Sequence, residues 1–146
     1  ESGADRASIR WDFVTDDEWG TFGRDFWAGL ETTPQAHAIV SAAEDTFGDN
    51  VCILTSPCRT AGCTDGKLDW VAKHFPSFQR RVLLGSAKHF CAHPKALLVD
   101  DHDENVAEFR RAGGVGLLVP QPWNERRNLP ADIVPLAIQL AGGLMQ

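Results

Sequence analysis

Short apolar runs alternate with stretches in which apolar residues recur at helical spacing along most of the chain. The apolar runs are rich in valine, isoleucine and leucine, and they predict strands at 51–55, 81–85, 96–100 and 115–120. Helical spacing predicts helices at 65–75 and 103–114, the second closed by glycine. Strands that are apolar throughout are usually buried on both faces. The alternation therefore predicts a doubly wound α/β fold, in which helices cover a parallel sheet.

Two helices are predicted before the first strand. Residues 15–30 begin with a capping threonine, Thr15, and acidic first-turn positions, and aromatic residues then follow at helical intervals. These aromatic residues are Trp19, Phe22, Phe26 and Trp27. Residues 34–47 have a proline in the first turn and stop at Gly48, which is typical of helix ends.

The tail of the chain predicts a last amphipathic helix. Ile133, Ala137, Leu140 and Leu144 fall on one stripe of this helix. We expect that stripe to pack on the core or on a neighbouring chain.

Length and charge limit the class of protein. A chain of 146 residues with ordinary apolar content suffices for one domain with its own core. The net charge of −6 argues against an anionic membrane or a nucleic-acid polymer as partner, because both require a basic face. No segment has the apolar length of a membrane span, and the start lacks a signal-peptide pattern. We therefore expect a cytoplasmic protein.

The cysteines are too few and too clustered for the disulfide framework of a small secreted scaffold, so reduced thiols are expected. Cys58, Cys63, Cys91 and His93 are residue types that bind zinc, but their spacing matches no standard zinc module. Whether these residues bind zinc is left open.

Polar side chains that suit phosphate chemistry follow three of the predicted strands. Thr55 and Ser56 follow the first strand and supply hydroxyls for a phosphate oxygen, and Lys88 follows the second as a point charge. Asp100 and Asp101 end the third strand and are hard oxygen ligands of the kind that Mg²⁺ prefers. Because active sites of open parallel sheets lie beyond the carboxyl ends of the strands, we expect these side chains to lie together.

The same residues carry a family resemblance. "ILTSP", the lysine of "SAKH" and "LLVDDHDENVAEFRRAGG" resemble motifs two, three and four of the haloacid dehalogenase (HAD) superfamily of phosphotransferases. "C-x-x-x-K-x-x-W-V", from Cys63 to Val71, is similar to the 5'(3')-deoxyribonucleotidases, and "RDFWAGLETTP" resembles their helical cap segment. The likeness covers about Thr15 to Asn124. It implies a partial cap at 1–48, a HAD-like α/β core at 49–125 and a C-terminal helix at 126–146.

The resemblance also implies an activity. It would be a Mg²⁺-dependent phosphatase that hydrolyses (deoxy)nucleoside monophosphates through an aspartyl-phosphate. By position, Thr55 and Ser56 would bind the phosphate, and Lys88 would hold the phosphate and the nucleophile together. Asp100 and Asp101 would orient or ligate Mg²⁺, which gives Lys88 and Asp101 catalytic roles.

Motif one, a D-x-D after an apolar strand, is missing from the sequence. The nearest candidate is Asp12, but Val14 stands where the second carboxylate is needed. In the family this strand lies between the strands that end here at Thr55 and Asp100, so its loss leaves unpaired backbone groups on both. We expect a longer polypeptide or a partner chain to supply the strand and the nucleophile, and this chain alone to be inactive. The alternative is a catalytically inactive HAD-like module used for binding or assembly.

Overall fold

The computed structural model describes Glu18 and residues 21–145. Its helices are α1 (Arg24–Ala28), α2 (Ala36–Phe47), α3 (Cys63–His74), α4 (Asp103–Arg111) and α5 (Val134–Met145). Its strands are β1 (Ile53–Thr55), β2 (Val82–Leu84), β3 (Leu97–Asp100) and β4 (Val115–Leu118). Short 3₁₀ helices lie at Pro76–Phe78, Lys88–Cys91 and Ala131–Ile133. The described part of the chain is therefore mixed α/β, as the hydrophobic pattern predicts.

The strands form two separate parallel pairs within the described residues. β1 pairs with β2 in the register Ile53 to Val82, and β3 pairs with β4 in the register Leu97 to Val115. Parallel pairing is confirmed. One continuous sheet is not formed, because β1 and β3 do not pair with each other.

One hydrophobic cluster lies where α2 and α5 pack together beside β4. Its buried members are Ala42, Val119, Val134 and Ile138. The side chains of β3 and β4 pack against this cluster, so burial of apolar area ties the second strand pair to the two helices.

A second cluster lies beside β1 and β2 and is formed by Val71, Phe75 and Phe78. Helix α2 contributes to both clusters, since Ile39 packs against the first and Val40 against the second. Both strand pairs are therefore packed against α2.

The first predicted helix is shorter than expected. Within the described residues it comprises α1, while Thr21 forms a turn and Phe22 and Gly23 are irregular. Thr15 and Trp19 lie outside the described residues. Trp27 is buried and Phe26 only half-buried, so the aromatic face continues over little more than one turn.

Close packing of α1 against α3 depends on Gly66. A Cβ atom there would overlap the carbonyl oxygen of Arg24 and lie 2.7 Å from the Cβ of Trp27. The glycine thus lets the two helices approach, and the bidentate pair between Arg24 and Asp69 lies on the exposed side of this contact.

The predicted apolar stripe of the last helix does not pack on the core of the described chain, and its packing on a neighbouring chain remains a prediction. Leu140 and Leu144 point to solvent, and Leu144 is 88% exposed, whereas Val134 and Ile138 are buried. The helix turns its β-branched and glycine face toward α2, because Gly142 allows the close approach of Thr46.

The expectation of reduced thiols is wrong for two of the cysteines. Cys58 and Cys63 form a disulfide with a Cα–Cα distance of 6.1 Å, which closes the loop between β1 and α3. Cys52 and Cys91 are free.

In the described part of the chain, no helix combines the length and apolar character needed to cross a membrane.

Candidate functional site

The carboxyl ends of the two strand pairs are joined by a buried ion pair. Lys88, in the 3₁₀ helix that follows β2, places its Nζ 2.5 Å from Oδ2 of Asp100 at the end of β3. Lys88 is 9% exposed and Asp100 is 7% exposed. The structure therefore brings together two of the residues that the strand-end pattern predicts.

The second oxygen of Asp100 is also engaged. Oδ1 accepts the backbone N–H of His102 at 2.9 Å and the side-chain N–H of Asn105 at 3.1 Å. Both donors come from the start of α4, where a carboxylate is favoured by the helix dipole. These three donors fix the orientation of the Asp100 carboxylate.

A second ammonium group lies at the end of β1. Lys67 of α3 donates from Nζ to the carbonyl oxygen of Ser56, and its Nζ lies 4.7 Å from the centre of the Trp27 ring. Partial burial and the charge of nearby Lys88 both lower the pKa of Lys67. No described carboxylate forms an ion pair with Lys67. Among the described residues, the ammonium group of Lys88 is therefore paired with a carboxylate and that of Lys67 is not.

Thr55 and Ser56 line the same end of β1 through their backbone. The Thr55 carbonyl accepts the N–H of Gly85, which fixes the end of β1 beside the segment that carries Lys88. Ser56 is anchored through its carbonyl by Lys67. Both residues are half-buried.

Asp101 differs from its neighbour Asp100. Its side chain reaches solvent, yet protein packed around the carboxyl group removes part of its hydration, and this raises its pKa. The charge of Asp100 raises the pKa of Asp101 further. A cation beside Asp101 would counteract both effects on its pKa. Of the two neighbouring carboxylates, Asp100 and Asp101, the second is therefore the more available to a cation.

The Asp101 backbone is held by a buried asparagine, Asn124. Its amide donates to the carbonyl oxygens of Asp101, at 2.9 Å, and Val119, at 2.7 Å. Its Oδ1 accepts the N–H groups of Gln121 and Arg126. The loop after β4 is thereby tied to the end of β3.

Asn105 and Asn124 were not singled out from the sequence, and Lys67 appeared there only as the lysine of the "C-x-x-x-K-x-x-W-V" pattern, without a role. Lys67 and Asn105 have a signal, because each lies within the first turns of a helix that follows a strand carrying predicted site residues. Asn124 has no comparable signal, since its partners Asp101 and Val119 come from two strand ends.

The residues suit magnesium in part. Mg²⁺ commonly takes one or two carboxylates together with waters and substrate phosphate oxygens. Asp101 offers such a carboxylate, whereas both oxygens of Asp100 are occupied by Lys88, His102 and Asn105. The described residues contain no cluster of three or more histidine, cysteine, aspartate or glutamate side chains that could hold a metal. Any further protein ligand would come from outside the described residues.

A zinc site at the cysteines is not supported by the described geometry. The sulfurs of Cys58 and Cys63 are bonded to each other, and zinc binds thiolates. Cys91 and His93 are exposed and belong to no described metal cluster.

Comparisons of the chain with family models, with curated proteins and with solved structures find no match.

Proposed function

We propose that this chain is the larger part of a Mg²⁺-dependent phosphatase of the HAD type that hydrolyses (deoxy)nucleoside monophosphates, with the nucleophilic aspartate supplied from outside the sequence. The observation that carries the proposal is the buried Lys88–Asp100 pair at the carboxyl ends of two parallel strand pairs. Burying a lysine and an aspartate costs free energy that apolar residues would not cost. A role in binding an anionic substrate would account for the presence of this buried pair.

The charges of the site favour a phosphate monoester as the ligand. Lys88 is neutralised by Asp100, while Lys67 is half-buried without a described carboxylate partner. The lowered pKa of Lys67 reflects repulsion from Lys88 as well as burial. A dianionic phosphate between the two ammonium groups would relieve this repulsion. Thr55 and Ser56, at the end of β1, would offer hydroxyls to a phosphate oxygen.

The residues of this chain would hold the reacting groups in place. A carboxylate from the outside segment attacks phosphorus, the ester P–O bond breaks, and a second carboxyl of that segment gives its proton to the departing alkoxide. Water then hydrolyses the acyl phosphate, releasing inorganic phosphate and restoring the carboxylate. Lys88 holds the phosphate and the nucleophile together, and Asp100 orients Lys88. Asp101 would hold Mg²⁺, which neutralises charge on the phosphoryl oxygens.

A catalytically inactive HAD-like module is the second candidate. The observation that favours it is that both oxygens of Asp100 are occupied, so the described residues leave only the Asp101 carboxylate for a metal. Such a module would bind a phosphate ester without cleaving it. The cytoplasmic location expected from the sequence is part of the proposal, although the Cys58–Cys63 disulfide argues against it, because disulfides persist mainly in oxidising compartments.

Binding of thymidine 5'-monophosphate to the 146-residue chain, measured by calorimetry with Mg²⁺ present, tests the anion site. We expect the monophosphate to bind and thymidine not to bind. Lys67→Met should weaken binding at least about tenfold, because it removes one charge-assisted contact. The matched control is Lys73→Met, which removes an exposed lysine from the same helix and should leave binding unchanged. Equal binding of thymidine, or no effect of Lys67→Met, would contradict the proposal.

Measuring phosphate release distinguishes the phosphatase from the inactive module. It should be measured on a version of the protein that also carries an apolar strand ending in D-x-D. We expect Mg²⁺-dependent release of phosphate from thymidine 5'-monophosphate, and its loss in Asp101→Asn. Binding without release in that version would favour the inactive module. Unchanged turnover in Asp101→Asn would exclude a metal role for Asp101.

A further inference from the structure

The disulfide between Cys58 and Cys63 lies at the candidate site, although no step of the proposed function uses it. Cys58 follows Ser56, at the end of β1, by two positions, and Cys63 is the first residue of α3. One helical turn later, α3 carries Lys67, which donates to the Ser56 carbonyl. The disulfide and this hydrogen bond therefore attach neighbouring parts of one loop to the same helix.

The two sulfurs of the disulfide lie in different surroundings. Cys63 is fully buried, and its Sγ accepts the backbone N–H of Cys58 at 3.3 Å. As the first residue of α3, Cys63 also lies where the helix dipole stabilises a thiolate. Cys58 is only half-buried, and its neighbours Pro57 and Arg59 are exposed. An attacking thiol would therefore reach Cys58 first, and Cys63 would be the leaving group.

The position of the disulfide favours an exchangeable bond over a permanent structural link. The stabilisation that a disulfide gives grows with the loop it closes, and these cysteines are only 5 positions apart. Cytosolic disulfides are usually transient and either catalytic or redox-sensing. An exchangeable bond would therefore reconcile the disulfide with the cytoplasmic location that the sequence predicts.

We propose that Cys58 and Cys63 form a redox-active pair that switches the loop after β1 between an ordered, disulfide-bonded state and a released, dithiol state, with thiol compounds as the reductant. A thiolate attacks the Cys58 sulfur, the bond to Cys63 breaks, and the Cys63 thiolate takes a proton from water. A second thiol then attacks the mixed disulfide and releases Cys58. The reductant thiols become one disulfide, and the protein pair gains two electrons and two protons.

Reduction would release the loop because few other described contacts hold it. The described hydrogen bonds of residues 57–61 all lie within residues 57–63. They join Cys58 to the sulfur of Cys63, Cys58 to Thr60, and the Cys63 amide to the Thr60 carbonyl. Without the sulfur–sulfur bond, no described hydrogen bond ties residues 57–61 to the rest of the protein.

Release of the loop would act on the anion site through Ser56. This residue directly precedes the released segment, and its carbonyl is the acceptor that fixes the Lys67 ammonium group. We therefore expect anion binding to be stronger in the disulfide state than in the dithiol state. This effect rests on the proposed function, whereas the redox pair rests on the disulfide and its surroundings alone.

Equilibration of the folded 146-residue chain in glutathione buffer tests the redox pair. The buffer is poised like the cytosol and contains no denaturant, and each sample is acid-quenched, denatured, alkylated and mapped by mass spectrometry. We expect Cys58 and Cys63 to be mostly reduced at equilibrium, whether the chain starts oxidised or reduced. A pair that stays oxidised from both starting points would be a structural disulfide and would overturn the proposal.

Single variants identify the attacked sulfur. With oxidised glutathione, Cys63→Ala should form a mixed disulfide at Cys58, whereas Cys58→Ala should leave the buried Cys63 unmodified over the same time. Faster modification of Cys63 than of Cys58 would overturn the assigned roles. The kinetics of reduction of the unaltered chain provide a check without substitution, since the rate should rise in proportion to glutathione concentration. A rate independent of glutathione would show that only the unfolded chain reacts, and would overturn the proposal.

Hydrogen exchange measured by NMR tests the release of the loop. We expect the Cys58 amide, which donates to the Cys63 sulfur, to exchange at least about tenfold faster after reduction. The Gly85 amide, which is bonded to the Thr55 carbonyl, should change little. The control variant Cys52→Ala keeps the pair and should respond like the unaltered protein. Equal exchange of the Cys58 amide in both redox states would overturn the switch.

Calorimetry with thymidine 5'-monophosphate tests the effect on the anion site. We expect binding to weaken at least about fivefold on reduction, because the released loop must be ordered again when the anion binds. Cys58→Ala should bind like the reduced protein with or without reductant. Equal affinity in both states would overturn the coupling while leaving the proposed function intact. Absence of binding in both states would overturn the coupling together with the proposed function, and the glutathione measurement would still decide the redox pair.

Discussion

The two parallel strand pairs differ in how completely their polar groups are partnered. At the end of β3, Asp100 accepts three hydrogen bonds and Asn124 fastens the neighbouring backbone with four. At the end of β1, Lys67 contacts a carbonyl and an aromatic ring but no described carboxylate. The described residues thus supply hydrogen-bond partners for Asp100 and Asn124 at the end of β3, but no carboxylate for Lys67 at the end of β1.

This difference extends to the strands themselves. β3 and β4 each have four residues and bury Leu98, Gly116 and Leu118, while β1 and β2 each have three residues and leave Leu83 and Leu84 exposed. Longer ladders with buried side chains resist local opening. Charged groups on the β3 side are therefore held rigidly, and the β1 side is the part expected to respond to a ligand or an added strand.

The largest expected effect comes from Lys88→Met, which leaves the Asp100 carboxylate buried without its cation. We expect a loss of about 3 to 5 kcal/mol in the free energy of unfolding, measured by urea denaturation. The double variant Lys88→Met/Asp100→Asn should recover part of this loss, since the buried charge is gone. Strictly additive effects of the two substitutions would show that the ion pair does not couple the strand pairs.

Asn124→Ala should have the next largest effect. It leaves the carbonyls of Asp101 and Val119 without their amide donor, and buried unpaired groups cost about 1 to 3 kcal/mol each before water enters. We expect a loss of about 2 to 3 kcal/mol in urea denaturation. The control is Gln139→Ala, which removes an exposed side-chain amide and should change stability little. A loss no larger than that of the control would show that Asn124 does not hold the site together.

Cys58→Ala tests how much the disulfide after β1 contributes to stability. Breaking the disulfide to Cys63 frees the loop between β1 and α3, and for a loop this short the chain-entropy model gives about 2 kcal/mol. Cys63, which is fully buried, keeps its side chain in this variant. Thermal unfolding with and without a reducing agent measures the effect. Cys58→Ala should be insensitive to the reductant, whereas Cys52→Ala, which removes a free thiol and keeps the disulfide, should respond to it like the unaltered protein. Insensitivity of the unaltered protein would contradict the prediction.

Asp101→Asn should have the smallest effect on stability and the opposite sign. The pKa of Asp101 is raised above 3.8 in the folded chain, so its favourable contribution is present below about pH 3.8 and is lost as pH rises through the folded pKa. At pH 7 the ionised Asp101 carboxylate destabilises the folded chain, so removing its charge should stabilise the protein. Because the side chain reaches solvent, the gain should be only about 0.5 kcal/mol. Denaturation at pH 7 and at pH 3 measures it. The gain should vanish at the lower pH, and a gain of equal size at both would contradict the assignment.

Much of the element order could be predicted from the sequence, because periodicity and helix-end residues act locally. The strand that ends at Asp100 and the helix that stops at Gly48 are examples. The face that α5 buries could not be predicted in this way. That helix has two apolar stripes, one with Val134 and Ile138 and one with Leu136, Leu140 and Leu144. The choice between them depended on Gly142 fitting against Thr46 of a helix about a hundred residues earlier.

As with the order of helices and strands, part of the candidate site could be predicted from the sequence. That Lys88 meets Asp100 follows from the rule that parallel strands share a carboxyl edge, and the structure places their side chains in contact. The disulfide and the role of Asn124 could not be foreseen, because each depends on how separate loops are folded against one another. The phosphatase activity, the metal and the outside strand remain predictions.

The sequence by itself determined the parallel α/β elements and the polar residues at their ends, because hydrophobic periodicity and strand-end chemistry are local properties of the chain. Only the tertiary structure decided which carboxylate has both oxygens hydrogen-bonded and which lysine lacks a described carboxylate partner. Those outcomes depend on which backbone edges and charges meet across the fold, and no local stretch of sequence contains that information.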